Sequence, residues 1–341
     1  MQPWVTEYRL HVLRCAHCDL LTEAEWPVGV PRSPFGASVH AWVGLLSGGY
    51  RQSKRNVRAL LADAFRVALS PGTVCRLEHT VSDAVAAPVV AAQAYVQQQE
   101  AANLDETSFR QGHLTMWLWT AVTAKVTVFA IRLSRGRDVV RELLGDAASM
   151  IVGSDRYVAY SERAPQRRQV CWAHLARNFK AFVERGGTAA LIGQTLLEQV
   201  DTLFHWWHRV RDGTLERSSF QTYVAGLRHR VHMELWYGQQ LADANTAATC
   251  RQMLAVEPAM YTFVRRDDVQ PTNNAAERAL RHGVIWRKTS FGTQSDAGTR
   301  YVERMLTVRD TLRQQQRSML EFLTQACQAS FQHTAPPSLL P

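Results

Sequence analysis

The sequence predicts a mixed α/β fold: a strand-bearing core, a small helical region before it, and a large all-helical insertion within it. Three observations carry this. Residues 41–99 hold apolar side chains at helical spacing, residues 104–133 turn to Thr, Val, Trp and Phe with partial alternation, and residues 188–266 return to helical spacing with no convincing strand. The 341 residues leave room for about two domains. With 46% hydrophobic and 20% charged residues, disorder over the whole chain is excluded.

Residues 1–40 read as an irregular or partly zinc-ribbon-like segment. Cys15-Ala-His-Cys18 precedes a loop rich in Pro and Gly (Pro27, Gly29, Pro31, Pro34, Gly36). A C-x2-C pair supplies half of a tetrahedral zinc site. The spacing of His11 and His17 does not require them to complete it, so two unliganded cysteines in a turn stand as the other reading. In the helical region 41–99, Val57, Leu60, Leu61, Ala64 and Phe65 share one side and Arg55 and Arg58 the other. Ser70-Pro71 then sets an N-cap and a first-turn proline, and Val74, Leu77 and Val81 extend the stripe beside Arg76 and His79. Two short helices with a turn between them fit a DNA-binding helix-turn-helix or a plain helical hairpin. Gln93–Glu100 reads as a polar helical linker.

Leu104–Arg110, His113–Ala124 and Val126–Leu133 read as three consecutive antiparallel strands. Val139–Leu144 makes a short helix stopped at Gly145. Met150–Asp155 is an apolar run ending in a carboxylate, as a buried strand would. Gln169–Trp172 is a further strand, and Ala173–Val183 a helix stopped by Gly186-Gly187. The insertion occupies 188–266, its helices marked by Leu196, Val200, Leu203 and Trp207, then by Phe220, Val224, Leu227 and Val231. A helix capped by Thr272 or Asn273 follows Pro271 and runs to about Trp286, and two more fill 296–327. The core is thus assembled from 100–187 and 267–327, and residues 328–341 are expected as a flexible tail.

Lys plus Arg number 39 against 30 Asp plus Glu, a net charge of +9, which favours an anionic partner such as nucleic acid. No stretch reaches the roughly 18 apolar residues of a membrane span. Ala84–Ala92 is short and contains Pro88, and Glu7 and Arg9 interrupt any secretory signal. Six cysteines in a chain this long do not make a disulfide scaffold. The expectation is a soluble intracellular protein.

Three strands, a helix, a fourth strand and a helix-rich stretch are the order of a ribonuclease H-like catalytic core. Reactive carboxylates in that architecture sit within the first strand, at the end of the fourth, and on a later helix. One acidic residue stands at each place: Asp105, Asp155 and Glu277. Magnesium prefers oxygen ligands, and two such ions about 3.5–4 Å apart clamp both sides of an in-line phosphoryl displacement. Each carboxylate also has a plain reading. Asp105 with Glu106 and Thr107 fits a strand-end turn, Asp155 beside Arg156 a surface ion pair, and Glu277 with Arg278 and Arg281 a solvated helix face.

Leu104-Asp105-Glu106-Thr107, Ser154-Asp155-Arg156-Tyr157-Val158-Ala159-Tyr160 and Cys171-Trp172-Ala173-His174 resemble, in order and content, the DDE transposases of the insertion-sequence sixty-six family. So do Pro271-Thr272-Asn273-Asn274-Ala275-Ala276-Glu277-Arg278 and Trp286-Arg287-Lys288-Thr289-Ser290-Phe291-Gly292, and the resemblance runs over residues 35–325. It implies a DNA transposase with two catalytic Mg2+ (or Mn2+) ions, which hydrolyses DNA at the element ends and joins the 3′-hydroxyls to target DNA. Asp105 and Asp155 match the family's aspartates, Glu277 its glutamate, and the helical block its insertion. DNA, further copies of the chain and small accessory proteins of the same element are the partners implied, and bacterial cytoplasm, beside the nucleoid, the location.

Neighbouring residues fit this chemistry. Arg281 lies one turn from Glu277, and Arg278, Arg281, Arg287 and Lys288 would neutralise phosphates, or be merely solvated. His174, three residues before Arg177, would contact the scissile phosphate or be a packing histidine; Arg177 joins it as a DNA contact. Similar proteins carry a longer N-terminal region with another C-x2-C. The expectation is therefore a truncated or split form in which Cys15 and Cys18 are half of a Zn2+ site. A relic that binds DNA without completing transposition, or a related ribonuclease H-like nuclease, is the alternative.

Overall fold

The structure, a computed structural model, describes residues 4–27, 30, 33–145 and 149–341. Gly29 and Pro31 of the expected loop lie outside the described residues. Val12–Arg14 (β1) and Leu21–Glu23 (β2) pair as an antiparallel hairpin around the Cys15–Cys18 turn, which is more order than the sequence predicts there. Ala37–Gly44 (α1) runs through a π-helical turn, Leu45–Gly49, towards Lys54–Phe65 (α2), Pro71–Ala84 (α3) and Ala86–Gln97 (α4). The Ser53 and Ser70 hydroxyls accept from the N–H groups of Asn56 and Thr73, capping α2 and α3. Pro88 falls in the first turn of α4, where its missing N–H is no loss, so most of the apolar run and of the expected linker form one helix.

The core sheet is built from Ala101–Gln111 (β3), Leu114–Val122 (β4), Thr127–Arg132 (β5), Ile151–Ser154 (β6) and Arg168–Val170 (β7), with Arg137–Leu144 (α5) between β5 and β6. Its order is β5-β4-β3-β6-β7; the first three strands are antiparallel, and β6 and β7 add in parallel. The first core strand is therefore central. Strand β7 ends two residues before Trp172, which already opens the next helix, so Cys171-Trp172 is a strand-to-helix corner and not strand.

Trp172–Arg185 (α6) and Gly187–Arg211 (α7) are separated by a single residue, Gly186, at φ 78°. The expected glycine stop is thus a sharp corner between two helices. Arg217–Gly238 (α8), Ala244–Ala255 (α9) and Thr262–Arg265 (α10) follow. Asn274–Ser290 (α11) extends one turn past Trp286, and Asp296–Gln314 (α12) and Met319–Gln332 (α13) complete the chain. Residues 328–341, expected as a flexible tail, include the last turn of α13 and the buried Leu339. Side chains of Arg317 and Gln315 donate to the carbonyls of Ser338 and Leu339, so backbone bonds anchor what composition alone suggests is loose.

Alternation along β3 divides the core. Leu104 faces Trp119, Val128 and Val152 on the side covered by α3, α4, α5, α12 and α13, whereas Phe109 faces Leu118, Phe129 and Ile131 under α11. On that second side Ala276, Ala279 and Leu280 seat α11 on the sheet. Gly283 allows the approach, since a Cβ there would lie 2.0 Å from Leu118 Cδ2. A separate cluster fills α6–α10 (Phe179, Phe182, Phe220, Leu227, Phe263), and Ile151 and Val170 join it to the sheet. Among the described residues no helix is long and apolar enough to cross a membrane.

Candidate active site

Asp105 lies on central strand β3, Asp155 directly follows β6, and Glu277 sits in the first turn of α11. The parallel register pairs Asn103 with Gly153; extended by two residues, the same register sets Asp105 across from Asp155. Gly153 is needed for this approach, because a Cβ there would lie 2.2 Å from Asn103 Oδ1. Glu277 is brought in by Asn273. That residue precedes α11, yet its side chain does not cap the helix as the sequence predicts. Its Nδ2 donates to the carbonyl of Leu104 at 2.8 Å, and its backbone N–H donates to Cys171 Sγ at 3.2 Å. Its own carbonyl accepts from the N–H of Glu277 at 3.1 Å. One buried asparagine thus ties the residue before Asp105 to the corner bearing His174 and to the helix bearing Glu277.

The carboxyl of Asp105 is pushed up to about 7, first by burial and then by the negative charges of Glu106, Asp155 and Glu277. Asp105 thus feels both Asp155 and Glu277, although the three come from distant segments. Burial and the charge of Arg177 lower the imidazole of His174. His174 Nε2 stands 3.7 Å, and Arg177 Nη2 3.4 Å, from Glu277 Oε1. The remaining ring nitrogen of His174 is buried without a hydrogen-bond partner.

The predicted basic residues separate into two groups. Arg278, Arg281 and Lys288 are exposed on α11 and form no ion pair among the described residues. Arg287 is turned inward: its Nη1 donates to the carbonyl and hydroxyl of Ser108, tying α11 to β3. Through this nitrogen Arg287 serves as a packing element, and the half-buried residue keeps its other guanidinium nitrogens. Cys15 and Cys18 are both exposed. Hydrogen bonds from the backbone N–H groups of His17 and Cys18 lower the Cys15 thiol. Among the described residues, no group of three or more His, Cys, Asp or Glu is poised to hold a metal ion, there or at the carboxylate trio.

The opposite face of β3 holds a support that the sequence alone does not announce. The side chain of Glu106 is 2% exposed; Arg135 pairs with it at 2.9 Å and the Tyr160 hydroxyl donates to it. Arg135 is itself stacked between Trp117 and Tyr157, 4.4 and 3.9 Å from their ring centres. Buried Arg168, on β7, and Arg156 place positive charge beside Asp155. The acidic Glu106 directly next to Asp105 on a strand was a usable signal, because alternation forces it to the other face, where an uncompensated charge is not tolerated.

Residues 33–301 match the family described as Transposase IS66 family. The chain is also similar to "Uncharacterized protein y4qI" of Sinorhizobium fredii (strain NBRC 101917 / NGR234), with 26% identity over 236 residues. That stretch takes in 61% of this chain and 42% of the relative, so the chain spans under half of that protein's length.

Proposed function

This chain belongs to the transposase IS66 family, and from that premise we propose that it is a DNA transposase of the DDE type, cleaving at transposon ends and transferring the strands to target DNA. The observation that carries the reading is geometric: the sheet register sets Asp155 across from Asp105, and Asn273, bonded to the Leu104 carbonyl, leads into the helix turn that bears Glu277. The strand order, with three antiparallel strands, two parallel additions and the first strand central, supports a ribonuclease H-like core.

The donor set suits hard divalent cations. The three acids bring carboxylate oxygens, and magnesium is held by a few carboxylates with water and phosphate oxygens completing its shell. Asp105, Asp155 and Glu277 would hold two Mg2+ or Mn2+ ions, which when bound supply activation of water or a 3′-hydroxyl and stabilisation of the leaving oxygen. The chain's own residues bind and orient. Arg177 lies against Glu277 with much of its side chain exposed, so it can hold both that carboxylate and a phosphate oxygen. His174, its imidazole lowered by burial and by Arg177, serves as a hydrogen-bonding group beside them. Arg278, Arg281 and Lys288 line the exposed side of α11 as phosphate contacts, and the pair α2–α3 adds a second DNA-binding element. Assembly of several copies on DNA, with accessory proteins of the same element, belongs to the same proposal.

The test uses labelled element ends and target DNA with Mg2+ or Mn2+. The expected products are nicked ends and joined strands; nicking alone would point to a nuclease, and binding alone to a relic. Asp155→Asn should abolish both products while leaving DNA affinity nearly intact, since it removes a metal ligand and no phosphate contact. Undiminished turnover in that variant would overturn the mechanism.

A further inference from the structure

A second concentration of charge lies away from the carboxylates, where α11, α12 and the turn after the π-helical segment meet. Arg51 stands there in the left-handed region at φ 57°, and its Nη1 is 2.6 Å from His282 Nδ1. A guanidinium can only donate, so His282 accepts through Nδ1 and carries its proton on Nε2. Burial and the charges of Arg309, Arg51 and Arg313 push this imidazole down to about 4, which keeps it neutral and its outer N–H a donor. Among the described residues one carboxylate answers these three guanidinium groups: Asp310, 9% exposed, bonded to Arg309.

The layout has a back and a mouth. Asp310 and Arg309 are mostly buried, with side chains 11% and 15% exposed, whereas Arg313 is on the surface. Among the described residues neither Arg313 nor His282 Nε2 meets an acceptor. Three like charges, a half-buried neutral donor and a single carboxylate leave a local excess of positive charge with unused N–H groups. Such an arrangement is unfavourable by itself and is relieved by an oxyanion. His282 is five residues beyond Glu277 on α11, about 7.5 Å along the helix axis. Arg51 also lines the 620 Å³ groove that separates α2–α3 from α11–α12, with Ser53, Asn56, Thr289 and Gln294. His282 is also turned about 140° around α11 from Glu277, so the cluster lies on another flank of that helix, beside the groove that Arg51 lines towards α2–α3.

We propose that Arg51, His282 and Arg313 form a phosphodiester subsite that holds one backbone phosphate of DNA as the duplex passes from the carboxylate site towards α2–α3. This rests on the reading of DNA as the substrate and adds to it a fixed point outside the cleavage centre. Arg313 and Arg51 supply charge and paired donors, and His282 donates through Nε2.

The test measures the affinity of the full chain for a short duplex of arbitrary sequence over a series of salt concentrations. Each phosphate neutralised contributes about 0.9 to the slope of log affinity against log salt. Arg313→Gln and Arg51→Gln should each flatten that slope by about 0.9, and Arg313→Lys should restore it. Arg230→Gln, which removes a charge from the exposed side of α8, should leave it unchanged. Thermal melting of each variant checks that the fold is kept. A slope unaltered by Arg313→Gln, or flattened equally by Arg230→Gln, overturns the subsite while leaving the transposase reading intact. Failure of the unmodified chain to bind duplex DNA overturns both.

Discussion

Replacing Asp105 by Asn should make the protein more stable while destroying its chemistry. The Asp105 carboxyl is raised from 3.8 to about 7, chiefly by burial and then by neighbouring negative charge. The unfolded chain has no such environment. Between about pH 4 and 7 it gives up this proton while the folded chain keeps it, so rising pH favours unfolding through that window. Below 3.8 both states hold the proton and the penalty is absent; above about 7 it is complete. The full displacement corresponds to about 4 kcal/mol at 1.36 kcal/mol per pKa unit, and residual solvent access reduces this to about 2–4 kcal/mol. Asn fills nearly the same volume, stays neutral, and its oxygen can still accept from the N–H of Glu106, as Asp105 Oδ1 does at 2.9 Å. Thermal melts of both proteins at pH 5 and pH 8, without divalent cations, check this. The variant should melt several degrees higher at pH 8, with a smaller gap at pH 5, and added Mg2+ should raise the unmodified protein more than the variant. A variant no more stable at pH 8, or a gap that ignores pH, would refute the electrostatic account of the site.

Further substitutions probe the scaffold. Asn273→Ala leaves the Leu104 carbonyl without its partner and should lower stability by about 1–2 kcal/mol in a denaturant melt. Because it also frees Glu277 relative to Asp105, turnover in the nicking assay should fall about tenfold or more. Arg135→Ala strands Glu106 in the core and should cost about 3 kcal/mol, with Glu106→Gln added on top restoring part of the loss; an additive double variant would contradict the pairing. Gly292→Ala meets two obstacles, φ +95° and an Arg110 carbonyl 2.1 Å from the new Cβ. It should lower stability by about 2–4 kcal/mol, read as a lowered melting temperature, because Thr293 would be levered off its bonds to Arg110 and Gly112.

Much of the architecture was legible along the chain because its signals are local. Ser70-Pro71 marks a helix start with two adjacent residues, and the alternation of Thr, Val and Trp after Asn103 marks strands whatever they pair with. The insertion helices follow from the spacing of Leu196, Val200 and Leu203 alone. Where local rules misled, a tertiary contact had overruled them. Asn273 sits where a cap belongs, but its amide serves Leu104 instead. Arg287 reads as a solvated base on a helix, but one of its nitrogens is bonded to Ser108 on the neighbouring strand. The tail has the prolines of a frayed end, but Arg317 and Gln315 hold its carbonyls.

From the order of its residues this chain already determined a mixed α/β core with helices before and inside it, and offered Asp105, Asp155 and Glu277 as the acids on which the proposed chemistry rests. Which of those acids feel one another was decided only in three dimensions. Register on the sheet sets Asp155 beside Asp105, and a single asparagine hydrogen bond delivers α11. The counterions were likewise invisible beforehand: Arg135 for Glu106, Arg168 near Asp155, and the cluster of Arg51, His282, Arg309 and Arg313 join residues from separate elements. Helical and strand periods report which way a side chain points from its own backbone. They carry nothing about what stands opposite, and the energy of a buried charge depends on that alone.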